Sequence, residues 1–199
     1  INSVDLPFMF YFYRDDKWKK SSDDERQEVL LAAADAGASM IDVMGDLYDP
    51  SPLEITYNKN AIDKQNRLID KIHSKGADVV ISSHTLSYLS TDQVIKHMLE
   101  LEKRNSEVVK IVTIINTKEQ LSEALQTTIA LTRELKKPFI HLCAGEYMRP
   151  HRFMCPVLGT SIMFAVPYYS DRYPHFGQPT IKSMKAVLDN IHWYINETE

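Results

Sequence analysis

Apolar residues in this chain come in short runs separated by amphipathic stretches, and that alternation is its strongest signal. The most continuous run is Val108-Val109-Lys110-Ile111-Val112-Thr113-Ile114-Ile115, a string of β-branched residues interrupted by one lysine. Both faces of such a run are apolar, as in a parallel strand covered on both sides. Similar runs occur at Phe8 to Tyr13, Ser39 to Val43, Asp78 to Ser82, Phe139 to Cys143 and Ser161 to Val166. Helical spacing fills the intervals. Ser22 with Glu25 three positions on reads as a capping box opening a helix that stops near Gly37. Further helices are predicted from Ala61 to Lys75, from Thr91 to Lys103 with Ser90 or Thr91 as cap, from Thr117 to Leu135, as a short turn near Arg152, and from Thr180 to Tyr194.

Strands that alternate with helices predict a parallel α/β protein, because parallel neighbours need crossover connections. A doubly wound sheet usually carries a phosphate loop, and neither G-x-G-x-x-G nor a Walker sequence occurs. A (β/α)8 barrel of the TIM type is the alternative, although six strands fall short of its eight and the chain is shorter than the ~250 residues typical of it. Two connections exceed what the scaffold needs: Gly45 to Asn60, marked by Pro50 and Pro52, and Pro167 to Pro179. Connections of that length are often lids or binding loops.

With 199 residues, 44% hydrophobic and 25% charged, the composition is that of an ordinary globular protein, and one domain spanning 1–199 is expected. The net charge of −4 gives no reason to expect a nucleic-acid partner; the basic residues are scattered apart from Lys17, Lys19 and Lys20. Cys143 and Cys155 lack metal-ligand spacing and read as free core thiols of a reducing compartment, so no metal is expected. No run approaches the roughly 18 apolar residues of a membrane span and no signal peptide is evident, which predicts a cytoplasmic protein. The chain opens on Ile1, as a processed or trimmed polypeptide would.

Lys110 is the first chemical signal. On a strand apolar on both faces its amine points into a covered place, and a desolvated amine can attack a ketone to form a Schiff base. A lysine that snorkels out at the strand end, or one that pairs with a carboxylate, fits the same stretch. The run Val79-Val80-Ile81-Ser82-Ser83-His84 delivers a histidine at a strand's C-terminal end, one strand before Lys110. Imidazole can move protons near neutral pH, although a strand-end histidine is more often a loop hydrogen-bonder.

At these residues the sequence resembles the type I 3-dehydroquinate dehydratases, Schiff-base enzymes of the shikimate pathway. The matching text is Ile41-Asp42, Val79 to His84, Val109-Lys110-Ile111, Arg152 followed by Gly159-Thr160-Ser161, and Gly177-Gln178. The resemblance implies a (β/α)8 barrel of which this chain shows the last six strand-helix units, with the first two strands missing. It implies that Lys110 forms the imine with the C3 ketone, that His84 takes the C2 proton and helps expel the C1 hydroxyl, that Arg152 holds the substrate carboxylate, and that Gln178 hydrogen-bonds from the late loop. No organic cofactor or metal is implied, the partner is a small carboxylate-bearing ketone, and a homodimer is expected.

The sequence departs from the family at several site positions. The glutamate that supports the histidine falls on Met44, and Asp46 is its expected substitute if the strand continues. An arginine falls on Tyr13, with Arg14 one position late as a substrate-binding candidate beside Asp42; a serine falls on Pro174. Two rivals to a dehydratase are another class I Schiff-base enzyme, such as an aldolase, and a non-catalytic sensor of quinate-like ligands.

Overall fold

The computed structural model describes residues 5–14, 20–171 and 177–195. Lys17, Lys19 and Pro174 lie outside the described residues. Five strands, β1 (Met9–Tyr11), β2 (Met40–Met44), β3 (Asp78–His84), β4 (Val108–Ile114) and β5 (Phe139–Ala144), form an open sheet in chain order. Pairing of β1 with β2 and of β2 with β3 is parallel, with Tyr11 opposite Asp42 and Met44 opposite Ser82. The helices are α1 (Asp23–Asp35), α2 (Lys59–His73), α3 (Thr91–Glu102), α4 (Lys118–Glu134), α5 (Met148–Met154) and α6 (Ile181–Leu188). A helix between each pair of successive strands is what parallel neighbours require. The chain divides into two compact units, Ile1–Ser83 with Glu100–Lys110, and His84–Leu99 with Ile111–Glu199.

In the first unit Ile41, Val43, Val79, Val80 and Ile81 of the central strands are fully buried, as are Leu68, Ile69 and Ile72 of α2. The capping box of α1 is present: Ser22 Oγ accepts from the Glu25 amide at 3.2 Å, and the Ser22 amide donates to Glu25 at 2.8 Å. One turn on, the buried Arg26 donates to the Phe12 and Tyr13 carbonyls at 2.7 and 2.6 Å, fixing the chain as it leaves β1.

The long connection from Gly45 to Asn60 is pinned from beneath rather than loose. Arg104, fully buried, donates to the Thr56 carbonyl at 2.8 Å and to Gln65 Oε1 at 3.2 Å. Gln65 in turn donates to the carbonyls of Gly45 and Leu47. Gly45 allows this packing, since a Cβ there would meet the Glu54 carbonyl oxygen at 2.7 Å.

In the second unit Ile111, Leu131, Ile140, Leu142 and Cys143 are buried, and Ile115, Ala124 and Cys143 form a cluster flanked by Leu121, Tyr147 and Met148. The run Ser161 to Val166 is not a strand. Its first amide donates to the Phe139 carbonyl at 2.8 Å, but among the described residues only Val166 makes a bridge, with Thr180, and the intervening residues are half-buried; apolar character without a ladder partner does not make a strand. The first strand ends at Tyr11 because Arg26 takes the next two carbonyls. The last helix ends at Leu188, where Asp189 caps it and the Asn190 side chain donates to the Ala186 carbonyl, the competition with helix typical of Asp and Asn.

Arg104→Met keeps most of the side chain's bulk but strands the Thr56 carbonyl and Gln65 in the interior. It is expected to lower the unfolding free energy by about 3 kcal/mol, read from urea titration, with the slope unchanged.

Candidate functional site

Lys110 lies on β4, with its side chain 5% exposed, and its amine does not snorkel. Its Nζ donates to Asp42 Oδ2 at 2.9 Å and to the Tyr13 hydroxyl at 2.8 Å. Asp42, on β2 and wholly buried, also accepts from Tyr13 OH at 2.6 Å and from Ser82 Oγ at 2.5 Å. The carboxylate-paired lysine is therefore the reading the structure selects. Burial pushes the Asp42 carboxyl up, but the Lys110 ammonium and the three hydrogen bonds outweigh it and hold the group below its ordinary range. Burial, then the Asp42 charge, push the Tyr13 phenol far up, so it stays protonated. Asp42, expected as a substrate ligand, is engaged with Lys110, Tyr13 and Ser82.

The expectation for Asp46 rested on a continuing strand, and β2 stops at Met44. Asp46 sits in the following turn, where it accepts from Arg14 Nη1 at 2.5 Å and from the Ser51 amide at 2.7 Å. Burial raises its pKa against both contacts. Arg14 also forks onto Asp23, with bonds of 3.1 and 2.7 Å, and donates to the Asp46 carbonyl. Its guanidinium ties the start of α1 to the turn after β2 rather than standing open. Met44 is 2% exposed and packs in the core.

His84 ends β3 and is half-buried. In the second unit Arg152, on α5 and 7% exposed, donates from Nε to the Cys143 carbonyl at 2.8 Å. Its terminal nitrogens have no hydrogen-bond partner among the described residues, leaving a planar fork suited to a carboxylate. Burial lowers its pKa. Gln178 is half-buried, and its carbonyl accepts from Tyr169 OH at 2.8 Å.

Sequence reasoning missed two features. Tyr13 and Ser82 complete the Lys110 site; Ser82 stood inside the quoted strand text, but nothing in it marked a carboxylate partner. His141, Cys143 and His151, all buried, also come together, with one ligand atom of each within 4.8 Å of the others. Burial lowers His141 and brings His151 to about 4, so both rings are neutral, and burial raises the Cys143 thiol to about 12. The alternation of His141 and Cys143 on β5 was legible; the approach of His151 was not.

Asp42→Asn leaves the Lys110 ammonium buried without its counter-ion and is expected to cost about 3 kcal/mol at pH 7. Since the native carboxyl is held below its unfolded value, the wild-type advantage is complete above the ordinary carboxylate range and is lost as pH falls below it. Urea titrations of both proteins between neutral and acid pH should show the difference narrowing below about pH 4.

The comparisons with known proteins follow this geometry. A family model described as Type I 3-dehydroquinase matches residues 2–194. A curated relative, a 3-dehydroquinate dehydratase from Alkaliphilus oremlandii, is 28% identical over 142 residues, covering 70% of this chain and 53% of that protein. The chain thus spans about half the length of this relative. Among solved structures, the type I 3-dehydroquinate dehydratase of Clostridium difficile with covalently modified comenic acid superposes with a TM-score of 0.75 at 17% identity, over 93% of this chain and 68% of that one. The 3-dehydroquinate dehydratase of Geobacillus kaustophilus gives 0.72 at 20% identity, over 92% and 66%. These likenesses show the barrel-type fold, here as five strands of an open sheet. With a match along nearly its whole length, the chain belongs to the type I 3-dehydroquinase family.

Proposed function

We propose that the protein is a lyase that dehydrates 3-dehydroquinate, or a close analogue, to 3-dehydroshikimate through an imine on Lys110. The observation that carries this reading is the buried amine of Lys110, aimed by two fixed partners, in a chain of this family. Attack needs the free amine, so Lys110 first loses a proton to solvent; its Nζ then adds to the C3 ketone, and the carbinolamine takes up a proton and loses water. The resulting cationic imine draws electrons from C2. In this reading His84 removes the C2 proton, the C1 hydroxyl leaves as water with a proton returned from the same ring, and hydrolysis of the imine frees product and lysine. Arg152 would hold the substrate carboxylate through its terminal nitrogens, and Gln178 would hydrogen-bond to substrate. Asp42 and Tyr13 are positioning residues that hold the amine until substrate arrives.

A sensing role has one observation in its favour. By the resemblance, Tyr13 and Met44 fall where the family is expected to carry charged groups, and in the structure Arg14 is tied to Asp23 and Asp46. The decisive experiment is borohydride trapping: the protein is incubated with 3-dehydroquinate, reduced, and the modified peptide located by mass spectrometry. A ligand-sized mass on Lys110, absent from Lys110→Met, is the expected result; binding by calorimetry without an adduct would overturn the imine and favour the sensor.

Arg152→Lys keeps the charge but loses the fork. It is expected to raise KM for 3-dehydroquinate by about tenfold or more while the borohydride adduct on Lys110 still forms at saturating ligand. An unchanged KM would remove Arg152 from carboxylate binding.

A further inference from the structure

We propose that His141, Cys143 and His151 form a site for one soft monovalent transition-metal cation, of the copper(I) class, held by two imidazole nitrogens and a thiolate. His141 and Cys143 are two apart on β5 and so lie on one face of the strand, and α5 brings His151 to them. The two rings meet edge to face with centroids 4.9 Å apart.

A count of hydrogens shows what the rings present. Thr128 Oγ1 donates its one hydrogen to the Ala124 carbonyl at 2.9 Å, within α4. The same oxygen lies 2.9 Å from His141 Nδ1 and 3.1 Å from His151 Nε2, so toward both rings it accepts. Each neutral imidazole then carries its hydrogen on the nitrogen facing Thr128. His141 Nε2 and His151 Nδ1 are left as bare lone pairs, and these two atoms are buried without a hydrogen-bond partner among the described residues. Buried acceptors without donors are rare and costly. Each of the three residues also brings one ligand atom within 4.8 Å of the others, a donor set that a cation satisfies.

Hardness and charge select the cation. Two imidazoles and a thiolate suit soft or borderline d10 ions, and no carboxylate belongs to the cluster among the described residues. Arg152 follows His151 and is bonded through Nε to the Cys143 carbonyl, so a positive charge already sits at the site. A dication with one thiolate would add a net charge next to that guanidinium, whereas a monovalent cation with one thiolate adds none. On binding, the Cys143 S–H bond breaks, its proton leaves to solvent, and a sulfur–metal bond forms with no change of oxidation state. Bonds of about 2.0 to 2.3 Å place ligand atoms about 3.7 Å apart, so the cluster closes by roughly 1 Å.

The test uses the full chain, titrated anaerobically with copper(I) against a competing copper(I) chelator, in parallel with zinc(II), and examined by X-ray absorption. The expected result is one equivalent of copper(I) withdrawn from the chelator with two nitrogen and one sulfur neighbours. Cys143→Ser and His151→Gln, checked for native circular dichroism, should each weaken binding by at least the ~10-fold that even outer-shell changes produce, and His73→Gln should leave it unchanged. Because Cys143→Ser changes a single atom, it keeps the test decisive if His151→Gln fails to fold. No withdrawal of copper(I), wild-type affinity in Cys143→Ser, or tighter binding of zinc(II) would overturn the proposal. None of these readouts depends on turnover of 3-dehydroquinate.

Discussion

A lysine amine in the interior must be paired, and the first unit is arranged around that requirement. Lys110 is held on an apolar strand by Asp42, and a buried pair of this kind persists only when the remaining lone pairs and protons are satisfied as well. Ser82 and Tyr13 supply those bonds. Tyr13 can reach them because Arg26, itself buried, holds the carbonyls of Phe12 and Tyr13 as the chain leaves β1. The shortness of β1, the burial of an arginine on α1 and the place of the amine are one constraint seen at three points.

A second arginine illustrates how charge is committed in this fold. Arg14 has two carboxylates and a carbonyl around it, and with Asp46 it orders the turn that follows β2. Its charge is neutralised within the first unit, so it offers an incoming carboxylate little attraction. Arg152 is the opposite case: one bond, through Nε, fixes the plane of its guanidinium and leaves the fork unoccupied among the described residues. Two arginines with the same side chain thus differ in what they can recognise, and the difference lies in their neighbours.

Most of the fold was legible because its signals are local. The β-branched run around Lys110, the apolar run in Asp78 to Ser82 and the Ser22–Glu25 box each determine an element without help from elsewhere. Ser161 to Val166 misled because an apolar run says nothing about whether a neighbouring strand is there to pair with it. The site divides the same way. Lys110 stood out as a polar residue in an apolar strand and Asp42 came from the family resemblance, whereas their partnership with Tyr13 spans most of the first unit's sequence and leaves no spacing to read. Asp46 misled because alternation holds only while the strand lasts, and a glycine follows Met44.

The proton inventory of the Lys110 site narrows the proposed chemistry. Asp42 is held ionised by the ammonium and three hydrogen bonds, and Tyr13 is held protonated by burial and by Asp42, so neither exchanges a proton easily near neutral pH. Asp46 is drawn up by burial but carries the bonds that order its turn. A site of this composition can hold and orient an amine, yet it contains no group suited to removing a carbon-bound proton. The proposed reaction therefore draws its base from outside this cluster, the part proposed for the half-buried imidazole of His84 at the end of β3. An imine-forming dehydration of the kind proposed asks for two groups of different character, an amine that waits in one place and a proton carrier that changes its protonation state within each turnover.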